Sequence, residues 1–525
     1  MRNGDTVTAQ SDDPAVGSDR VVRGLAMPAA YPFPVASVEH RETHISHVFL
    51  AGDFAYKLKK PIKTDFLDYS TLSLRHHFCD EELRLDCRYS GDLYIGVVPI
   101  TDEEGGIRIE GDGEPIEYAV KMRRFPDEAL LSHRVDAGLL SIDEVQQLAI
   151  TIAQFHARAR HCSPDRAKRV PSMLRRNIQE ILETLKTGAT DSVVSILDQI
   201  GSWSDDFFCE HESEFRVRVE QGFIRECHGD LHLQNIVHFD EKLIPFDGIE
   251  FNDDFRFIDV LNDTAFLAMD LDARGHLDLS RSFINCYLEH TGDYESLVVM
   301  RWYLVYRALI RAMVAKMKAA QHEQEPHIYR ESIQDNLDHI DLARQYTNAA
   351  HPTLYITHGL SGSGKTTLSE NVVMRYGAIR LRSDIERKRH FGLSADDEID
   401  QDLKQQLYSK DANQATYDRL HKLARGLLRS GYPVIVDATF LKQSDRQTFQ
   451  KLAKSEGVRF AILDCHADVP TLRQRITDRI AKGKDASDAD LSVLQLQLES
   501  QEVLTPAECE SVIDIPDRAT KTDGR

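Results

Sequence analysis

The feature that most constrains the fold is a glycine-rich run in the last third of the 525-residue chain. The run reads Gly-Leu-Ser-Gly-Ser-Gly-Lys-Thr at 359–366 and stands between an apolar stretch at 353–358 and a helical pattern. A strand, a G-x-x-x-x-G-K-[ST] loop and a helix form a phosphate-binding loop, in which glycines let backbone N–H groups turn towards phosphate oxygens. We therefore expect Lys365 at the β- and γ-phosphates of a nucleotide and the Thr366 hydroxyl beside Mg²⁺.

The residues around this loop predict an α/β P-loop domain with a parallel sheet over 353–525. Strand-like runs at 378–381, 432–436 and 460–465 alternate with helical segments, and this alternation is typical of parallel sheets. The residues predicted to contact the nucleotide are Gly359, Ser361, Gly362, Ser363, Gly364, Lys365, Thr366 and Thr367.

An acidic residue follows the second predicted strand of this domain. Asp384 lies at a carboxyl strand end, where open α/β sheets bind their ligands. We expect Asp384 to accept the proton of a substrate hydroxyl and Arg387 to hold a substrate anion. The alternative is a helix N-cap at Ser383 or Asp384 followed by a solvated basic face.

Two further features complete the predicted P-loop site. Asp437 ends the apolar strand Val-Ile-Val, the position at which a carboxylate orients Mg²⁺ or its waters. Arg475 and Arg479 stand four residues apart on one helical face and are predicted to close over the phosphates as a lid. The alternatives are a capping aspartate and a solvated charged face.

A second motif lies upstream, where His-Gly-Asp-Leu-His-Leu-Gln-Asn occupies 228–235. Asp230 and Asn235 have the spacing of the phosphotransfer loop H-x-D-x-x-x-x-N. In such a loop the aspartate receives or orients the acceptor proton, and the asparagine binds Mg²⁺. Asp247 follows twelve residues after Asn235 and is predicted to be the second metal ligand.

A strand with alternating lysines precedes this motif. Lys57 and Lys59 point to the same side of the predicted strand 54–60, and we assign Lys57 to the phosphates. Its partner is expected on the following helix, where Glu81 and Glu82 are both available, and Glu82 is the preferred choice. The alternative for these residues is surface charge.

The upstream part resembles the aminoglycoside phosphotransferase and choline kinase superfamily, on HGDLHLQN at 228–235 and FDGIEF at 246–251. The resemblance implies an α+β, bilobal protein-kinase-like fold over 29–347. Asp259 and Asp263 match the stretch that braces the catalytic loop in that family. No G-x-G-x-x-G precedes Lys57, so the sequence departs from the protein-kinase pattern there.

The downstream part resembles small P-loop kinases related to polynucleotide kinase, chloramphenicol phosphotransferase and the gluconate and adenylylsulfate kinases. GLSGSGKTT, LRSDIERKR, VIVDATF and the arginine-bearing lid carry this resemblance. The two parts together resemble the bacterial bifunctional aminoglycoside phosphotransferase/ATP-binding protein family. The resemblance implies transfer of the ATP γ-phosphate to a hydroxyl, with ATP and Mg²⁺ as cofactors and Asp384 as general base.

The composition limits the partners. A net charge of −21 argues against general binding to nucleic acid or to a membrane surface, because phosphate surfaces select basic faces. No apolar run reaches the length of a membrane span, and the eight cysteines form no CxxC pair. We expect a soluble cytoplasmic protein that acts on a small-molecule hydroxyl acceptor.

The predicted organisation has a disordered tail over 1–28, the kinase-like domain over 29–347, a linker at 348–352 and the P-loop domain over 353–525. The leading functional hypothesis is an ATP-dependent phosphotransferase with two kinase-type sites. In one alternative, one part is a regulatory ATPase switch for the other. In another, the P-loop part is a nucleic-acid 5′-hydroxyl kinase.

Overall fold

The computed structural model describes residues 14–295, 297–348, 352–394, 397, 399–482 and 490–515. The first part of the chain is built mainly of strands. Its elements are α1 (Pro14–Leu25), β1 (Val38–Glu42), β2 (Ser46–Ala51), β3 (Phe54–Lys59), α2 (Leu72–Ser90), β4 (Tyr94–Glu103), β5 (Gly106–Ile109), β6 (Pro115–Arg123) and α3 (Leu131–Asp136).

Helices dominate the middle of the chain and are interrupted by short strands. These elements are α4 (Ile142–Arg158), α5 (Pro164–Ala167), α6 (Val170–Lys186), α7 (Asp191–Glu210), α8 (Glu212–Glu220), β7 (Ile224–Glu226), β8 (Ile236–Phe239), β9 (Lys242–Pro245), α9 (Asp253–Arg256), β10 (Phe257–Asp259), α10 (Val260–Ala273), α11 (Leu277–Thr291), α12 (Met300–Gln321) and α13 (Pro326–Thr347).

Strands and helices alternate in the last part. These elements are β11 (Thr353–His358), α14 (Lys365–Tyr376), β12 (Ile379–Arg382), α15 (Ser383–His390), α16 (Gln401–Leu407), α17 (Lys410–Arg429), β13 (Val434–Asp437), α18 (Gln443–Ser455), β14 (Arg459–Asp464), α19 (Val469–Lys482), α20 (Leu491–Ser500) and α21 (Pro506–Cys509). Short 3₁₀ turns lie at Pro28–Ala30, Asp127–Ala129, Leu233–Asn235 and Leu297–Val299.

The chain packs into two compact units. One contains Met1–Leu140, Ala159–Ser163 and Ile224–Asp263, and the other contains Ser141–Arg158, Pro164–Phe223 and Thr264–Arg525. The predicted linker at 348–352 stays a prediction, and its residues 349–351 lie outside the described residues. By packing, the helices from 264 to 348 belong with the P-loop part.

The first unit is built on a six-stranded antiparallel sheet of order β1-β2-β3-β6-β4-β5. Strands β2 and β3 form a hairpin, since they pair antiparallel around Gly52 and Asp53. One face of the sheet packs in a core that includes α1, and the opposite face packs against α2. Both faces are therefore covered, as expected for an α+β domain.

The predicted disordered tail over 1–28 is wrong for residues 14–28. Residues 14–25 form α1, and Val21 and Leu25 are buried in the core beside Phe49. Val21 and Leu25 stand four residues apart, so they lie on the same face of the helix and can be buried together. Residues 1–13 lie outside the described residues.

The second unit contains a four-stranded parallel sheet of order β12-β13-β11-β14. Helix α14 packs on one face of this sheet, where Val372 and Val373 join the core. The predicted fold classes are confirmed: an α+β part with an antiparallel sheet precedes an α/β P-loop part with a parallel sheet. Among the described helices, none combines the length and the apolar character needed to cross a bilayer.

Candidate active sites

An ion pair joins the lysine strand to α2. Lys57 Nζ donates to Glu82 Oε1 at 2.9 Å, and Lys59 Nζ donates to Glu82 Oε2 at 2.7 Å. Glu81 instead accepts from Arg84 Nε at 2.9 Å. Adjacent helix residues point about 100° apart, so only one of the two glutamates can face the sheet. The preferred partner, Glu82, is the one that the structure pairs with Lys57.

Lys59 is a member of this cluster that the sequence analysis did not select. It is 1% exposed, and its ammonium group also donates to Glu250, which is 3% exposed. The Tyr69 hydroxyl donates to the same Glu250 carboxylate. Burial alone would raise the pKa of Glu82, but Lys57 and Lys59 lower it, so the carboxylate is ionised. The strand alternation was the available signal, because it places both lysines on one face.

The loop after β9 carries Asp247 to this cluster. Asp247 has φ +60°, a left-handed conformation that non-glycine residues adopt rarely. Its carboxylate accepts from Lys57, and its N–H donates to the Tyr94 hydroxyl at 3.1 Å. The next N–H, of Gly248, donates to Asp86 Oδ1 at 3.0 Å. Burial, with Glu82 as the next contribution, raises the pKa of Asp86 well above its usual value.

Asp263 braces the catalytic loop. Its carboxylate accepts from the His228 N–H at 3.1 Å and from the Gly229 N–H at 2.9 Å. Gly229 has φ +85°, and a Cβ there would lie 2.7 Å from the Phe255 carbonyl oxygen. The loop therefore requires glycine at 229, and its course is set from α10, in agreement with the bracing role that the resemblance implies for Asp263.

Asp230 and Asn235 face each other across the loop. Asn235 Nδ2 donates to Asp230 Oδ2 at 3.0 Å and to the Asp230 carbonyl oxygen at 3.1 Å. His232 Nε2 lies 3.3 Å from the same carboxylate. The Asn235 carbonyl accepts from the Phe246 N–H at 2.9 Å, so the β8–β9 hairpin brings Asn235 beside Asp247.

These residues fit Mg²⁺ by their chemistry. The side chains of Asp230 and Asp247 remain 38% and 42% exposed, although their neighbours are buried. Carboxylate and amide oxygens are the ligands that Mg²⁺ takes in phosphotransfer sites. The structure therefore leaves two carboxylates accessible beside an amide and a lysine, and their individual roles stay predictions.

The glycines of the P-loop adopt backbone conformations that other residues avoid. Gly359, Gly362 and Gly364 have φ of +144°, +83° and +98°. A Cβ at Gly359 would lie 2.3 Å from the Cys465 carbonyl oxygen. The loop leads directly into α14, so the positive end of the helix dipole faces the phosphate position.

The P-loop lysine and the strand-end aspartate lie in this cradle. Lys365 Nζ donates to the Leu360 carbonyl at 2.8 Å. Burial lowers the pKa of Lys365, and Asp437 opposes this shift. Asp437 ends β13 and accepts from Ser369 Oγ at 2.9 Å, and it lines the same cavity as Thr366. Thr366 and Asp437 thus supply a hydroxyl and a carboxylate, oxygen groups that Mg²⁺ can take, to one cavity.

The predicted acceptor residues form a pair on α15. Arg387 donates to Asp384 Oδ1 at 3.0 Å and to Asn413 Oδ1 at 3.1 Å. The Arg387 guanidinium also lies over the Tyr408 ring at 4.7 Å. Helix α15 begins at Ser383 without a side-chain cap, so the alternative interpretation of Ser383 or Asp384 as an N-cap is wrong.

One cavity of about 1130 Å³ brings the predicted P-loop residues together. Gly359 is not among the residues that line this cavity. Arg475 donates to the Gly362 carbonyl at 3.2 Å, which places the predicted lid helix over the loop. Residues 483–489 of the predicted lid lie outside the described residues. The lining residues include Ser361, Gly362, Ser363, Gly364, Lys365, Thr366, Thr367, Asp384, Arg387, Asp437, Arg475 and Arg479.

The cavity also contains residues that sequence reasoning missed. Gln497 Oε1 accepts from the Ser361 N–H at 2.9 Å, and His466 Nε2 lies 2.6 Å from Asp464 Oδ2. Gln497 and His466 stand outside every motif, so no local spacing could have identified them. They reach the loop because α20 and the end of β14 fold against it.

Comparison with known proteins follows the same division. An AAA domain family model matches residues 354–504. The uncharacterized protein Rv2004c of Mycobacterium tuberculosis is 32% identical over 453 residues, which are 86% of this chain and 88% of that protein. The uncharacterized protein Mb2027c of Mycobacterium bovis has the same identity and coverage.

Kinases are among the solved structures that are similar to this chain. A choline/ethanolamine kinase family protein from Mesorhizobium loti is 10% identical and covers 63% of this chain and 99% of its own, with a TM-score of 0.35. A gluconokinase from Sinorhizobium meliloti is 22% identical and covers 32% of this chain and 85% of its own, with a TM-score of 0.23. The AAA domain model falls on the predicted P-loop part of the chain.

Proposed function

We propose that this chain, which belongs to the same family as the uncharacterized mycobacterial proteins, is an ATP-dependent phosphotransferase with two kinase-type sites. Both sites transfer the γ-phosphate of ATP to hydroxyl groups of small-molecule acceptors in the cytoplasm. The observation that carries the proposal is that each unit places a candidate acceptor base beside a candidate phosphate grip. Asp230 precedes the β8–β9 hairpin and Asp247 follows it, so the hairpin brings their two loops together, and Asp384 shares a cavity with Lys365.

In the first unit, called the kinase-like unit below, the side chains supply charge and position the substrates. Lys57 is held by Glu82 and points to Asp247, the geometry of a lysine that pairs with phosphates. Asp230 orients the acceptor hydroxyl and takes its proton, while Asn235 holds the Asp230 carboxylate in place. When bound, Mg²⁺ supplies charge neutralisation on the phosphates, and Asn235 and Asp247 are the residues that would hold it.

In the P-loop unit, the backbone N–H groups of the loop and Lys365 bind the phosphates. Thr366 and Asp437 are the residues that would hold Mg²⁺ here. Arg475 already contacts the loop and would exclude water above the phosphates. Asp384 receives the acceptor proton, and Arg387 orients both the carboxylate and the acceptor.

The Asp384–Arg387 pair favours transfer over a regulatory ATPase switch. A switch needs only a nucleotide and a segment that responds to it, whereas a carboxylate in the same cavity as the phosphate loop has a use when a hydroxyl is the acceptor. The arginine lowers the cost of an ionised carboxylate in a partly enclosed cavity. We therefore assign the P-loop unit to phosphoryl transfer.

The test supplies the purified chain with γ-labelled ATP and pools of metabolites, aminoglycosides and 5′-hydroxyl oligonucleotides. Asp230→Asn and Lys365→Ala are assayed beside the parent, and each is expected to lower labelling of its own acceptor by about 100-fold or more. Two exposed positions supply matched controls, Asp240→Asn for the first variant and Lys451→Ala for the second. Both controls should label as the parent does.

Three outcomes would contradict parts of the proposal. Labelling that persists in both site variants for every acceptor would refute the site assignments. ATP hydrolysis without any labelled acceptor would instead support the switch. A labelled oligonucleotide whose yield falls steeply with salt would assign the P-loop part to nucleic-acid ends, since salt competes with phosphate contacts.

A further inference from the structure

The acceptor residues of the P-loop site follow directly after an edge strand. Among the described strands, β12 pairs with β13 alone, and it leads directly into α15 with Asp384 and Arg387. An edge strand presents unpaired N–H and C=O groups along its free side. The position of the acceptor residues therefore depends on what covers that side.

Helix α11 covers it with a single carboxamide. Asn285 Nδ2 donates to the Ala378 carbonyl at 3.1 Å, and the Arg380 N–H donates to Asn285 Oδ1 at 2.7 Å. Asn285 is 4% exposed, so water does not compete for these groups. One side chain thus satisfies an acceptor and a donor that a further strand would otherwise pair.

One turn further along α11, Glu289 binds the side chains of the same strand. Its Oε1 accepts from Arg380 Nε at 2.6 Å, and its Oε2 lies 3.8 Å from Arg382 NH1. Its backbone carbonyl accepts from Arg389 NH2. Glu289 is 8% exposed and Arg380 is 7% exposed, so this ion pair is buried. The three arginines lie on both sides of Asp384 in sequence.

This helix is not part of the matched P-loop family region, which begins at 354. It comes from the segment that the sequence resemblance assigns to the kinase-like part. We propose that α11 is the brace of the acceptor side of the P-loop site, with Asn285 and Glu289 as positioning residues. The proposal rests on the phosphotransferase function assigned above to the P-loop unit.

The proposed brace supports the acceptor side of the P-loop site and not its nucleotide side. The phosphate cradle joins β11 to the start of α14, and β11 lies inside the sheet. In the last turn of α14, the Met374 carbonyl accepts from Arg281 of α11 at 2.8 Å. That end of α14 is the end opposite to the cradle. Loss of Glu289 should therefore displace the acceptor residues and leave the nucleotide contacts in place.

The experiment uses the full chain with Glu289→Gln, Asn285→Ala and the control Glu295→Gln. Glu295 is an exposed glutamate that pairs with Lys422 at 2.7 Å, so its variant removes a charge pair outside the proposed brace. Three quantities are measured: amide hydrogen exchange over 378–390, affinity for a fluorescent ATP analogue, and steady-state kinetics with any acceptor whose labelling depends on Asp384.

The expected result is specific to the acceptor side. Exchange over 378–390 should rise by about fivefold or more in both variants, the loss of roughly one hydrogen bond of local stability. Acceptor KM should rise about tenfold or more, since misplacement by about 1 Å costs up to 100-fold. The affinity for the ATP analogue and the Glu295→Gln control should stay within about twofold of the parent. Glu289→Asp should restore part of the acceptor KM.

Other results would overturn the proposal. Unchanged exchange over 378–390 in both variants would show that α11 does not hold the strand. If nucleotide affinity falls as much as exchange rises, α11 supports the domain in general and does not specifically position the acceptor residues. A parent that labels no acceptor would defeat the proposed function alone, because exchange and nucleotide affinity still test the brace. The effects of Glu289→Gln and Arg380→Gln should be non-additive in the double variant, and additive effects would also contradict the proposal.

Discussion

Lys57 and Lys59 bind the same carboxylate but differ in what else surrounds them. The side chain of Lys57 is 12% exposed and extends to Asp247, whereas that of Lys59 is 1% exposed and extends to Glu250. The two lysines, at alternate positions of β3, thus have different roles. Lys57 lies at the accessible end of this row of ion pairs, and Lys59 neutralises buried carboxylates inside the first unit.

Replacement of the two lysines by methionine should therefore have different effects. Lys57→Met should lower transfer at the kinase-like site by about 100-fold or more, because one phosphate-facing charge is lost. Lys59→Met should lower the free energy of unfolding by about 3–5 kcal/mol, because Glu250 stays buried without its lysine. Product labelling measures the first effect and urea unfolding of the first unit measures the second. Equal stability of the two variants would contradict this division.

Glu226 is a buried carboxylate among arginines. It is 1% exposed and accepts from Arg84, Arg88, Arg160 and Arg256. Burial alone would raise its pKa, but the bonds and charges of Arg84, followed by those of Arg88 and Arg160, lower the pKa to about 2. The carboxylate ties α2 to the strand pair β7–β10 of the first unit.

This lowered pKa predicts a dependence of stability on pH. A folded-state pKa below the unfolded value of 4.5 gives stability that is present above pH 4.5 and is lost as the pH falls from 4.5 towards about 2. The difference corresponds to about 3 kcal/mol. Glu226→Gln should remove this dependence, measured as hydrogen exchange of β7 and β10 between pH 2 and pH 6. The exposed Glu128→Gln should keep the parent profile, and an unchanged profile in Glu226→Gln would be the contradicting result.

At the scale of elements, the start of α4 follows a sequence rule. Ser141 and Glu144 form the capping box that their spacing predicts, since Glu144 N–H donates to Ser141 Oγ at 3.2 Å and Ser141 N–H donates to Glu144 Oε2 at 2.9 Å. Both partners belong to one turn of chain. Local chemistry therefore sets where this helix begins.

Ser141→Ala should destabilise the second unit by about 1 kcal/mol, because one helix N–H loses its acceptor. Ser141→Thr retains a hydroxyl and should cost less than about half of that. Chemical unfolding followed by a probe in the second unit measures both. A cost of zero for the alanine variant would show that water replaces the cap.

Strand β12 is an element whose context the local sequence does not reveal. Its pattern predicts a strand, but the carboxamide of Asn285 covers its free side from a helix far upstream. Only packing brings the two segments together. The local sequence likewise does not reveal the context of α1, because α1 lies within a polar segment and is held in the core by the apolar residues Val21 and Leu25.

At the scale of the whole molecule, the two proposed sites should bind nucleotide independently. Equilibrium dialysis with an ATP analogue and Mg²⁺ should give two nucleotides per chain. Asp247→Asn and Lys365→Ala should each lower this number to one, and the double variant should bind none. At an analogue concentration of about 100 Kd, each occupied site should stabilise its own unit by about 2.7 kcal/mol.

A stoichiometry of one in the parent would contradict the two-site proposal and would show which unit binds, because only one of the two variants would then lose binding. Asp240→Asn and Lys451→Ala are the matched controls and should retain both nucleotides. The same four variants therefore separate a chain with two nucleotide sites from a chain in which only one unit binds nucleotide.

The sequence by itself determined the two folds and the residues that each motif carries. The P-loop and the loop at 228–235 are contiguous, so their spacing alone specifies glycine conformations and the order of functional groups. The roles of those residues stay predictions, although the structure brings them together as expected. Short-range steric and hydrogen-bonding rules are sufficient at this range.

Only the tertiary structure decided which distant groups meet. It chose Glu82 over Glu81, joined Lys59 to Glu250, and placed Gln497 against the P-loop. It also grouped the helices from 264 onward with the P-loop sheet. These outcomes depend on which helix faces are buried and which segments pack together, and one residue along a helix turns a side chain by about 100°. Spacing along the chain cannot encode contacts between segments that meet only when the core forms.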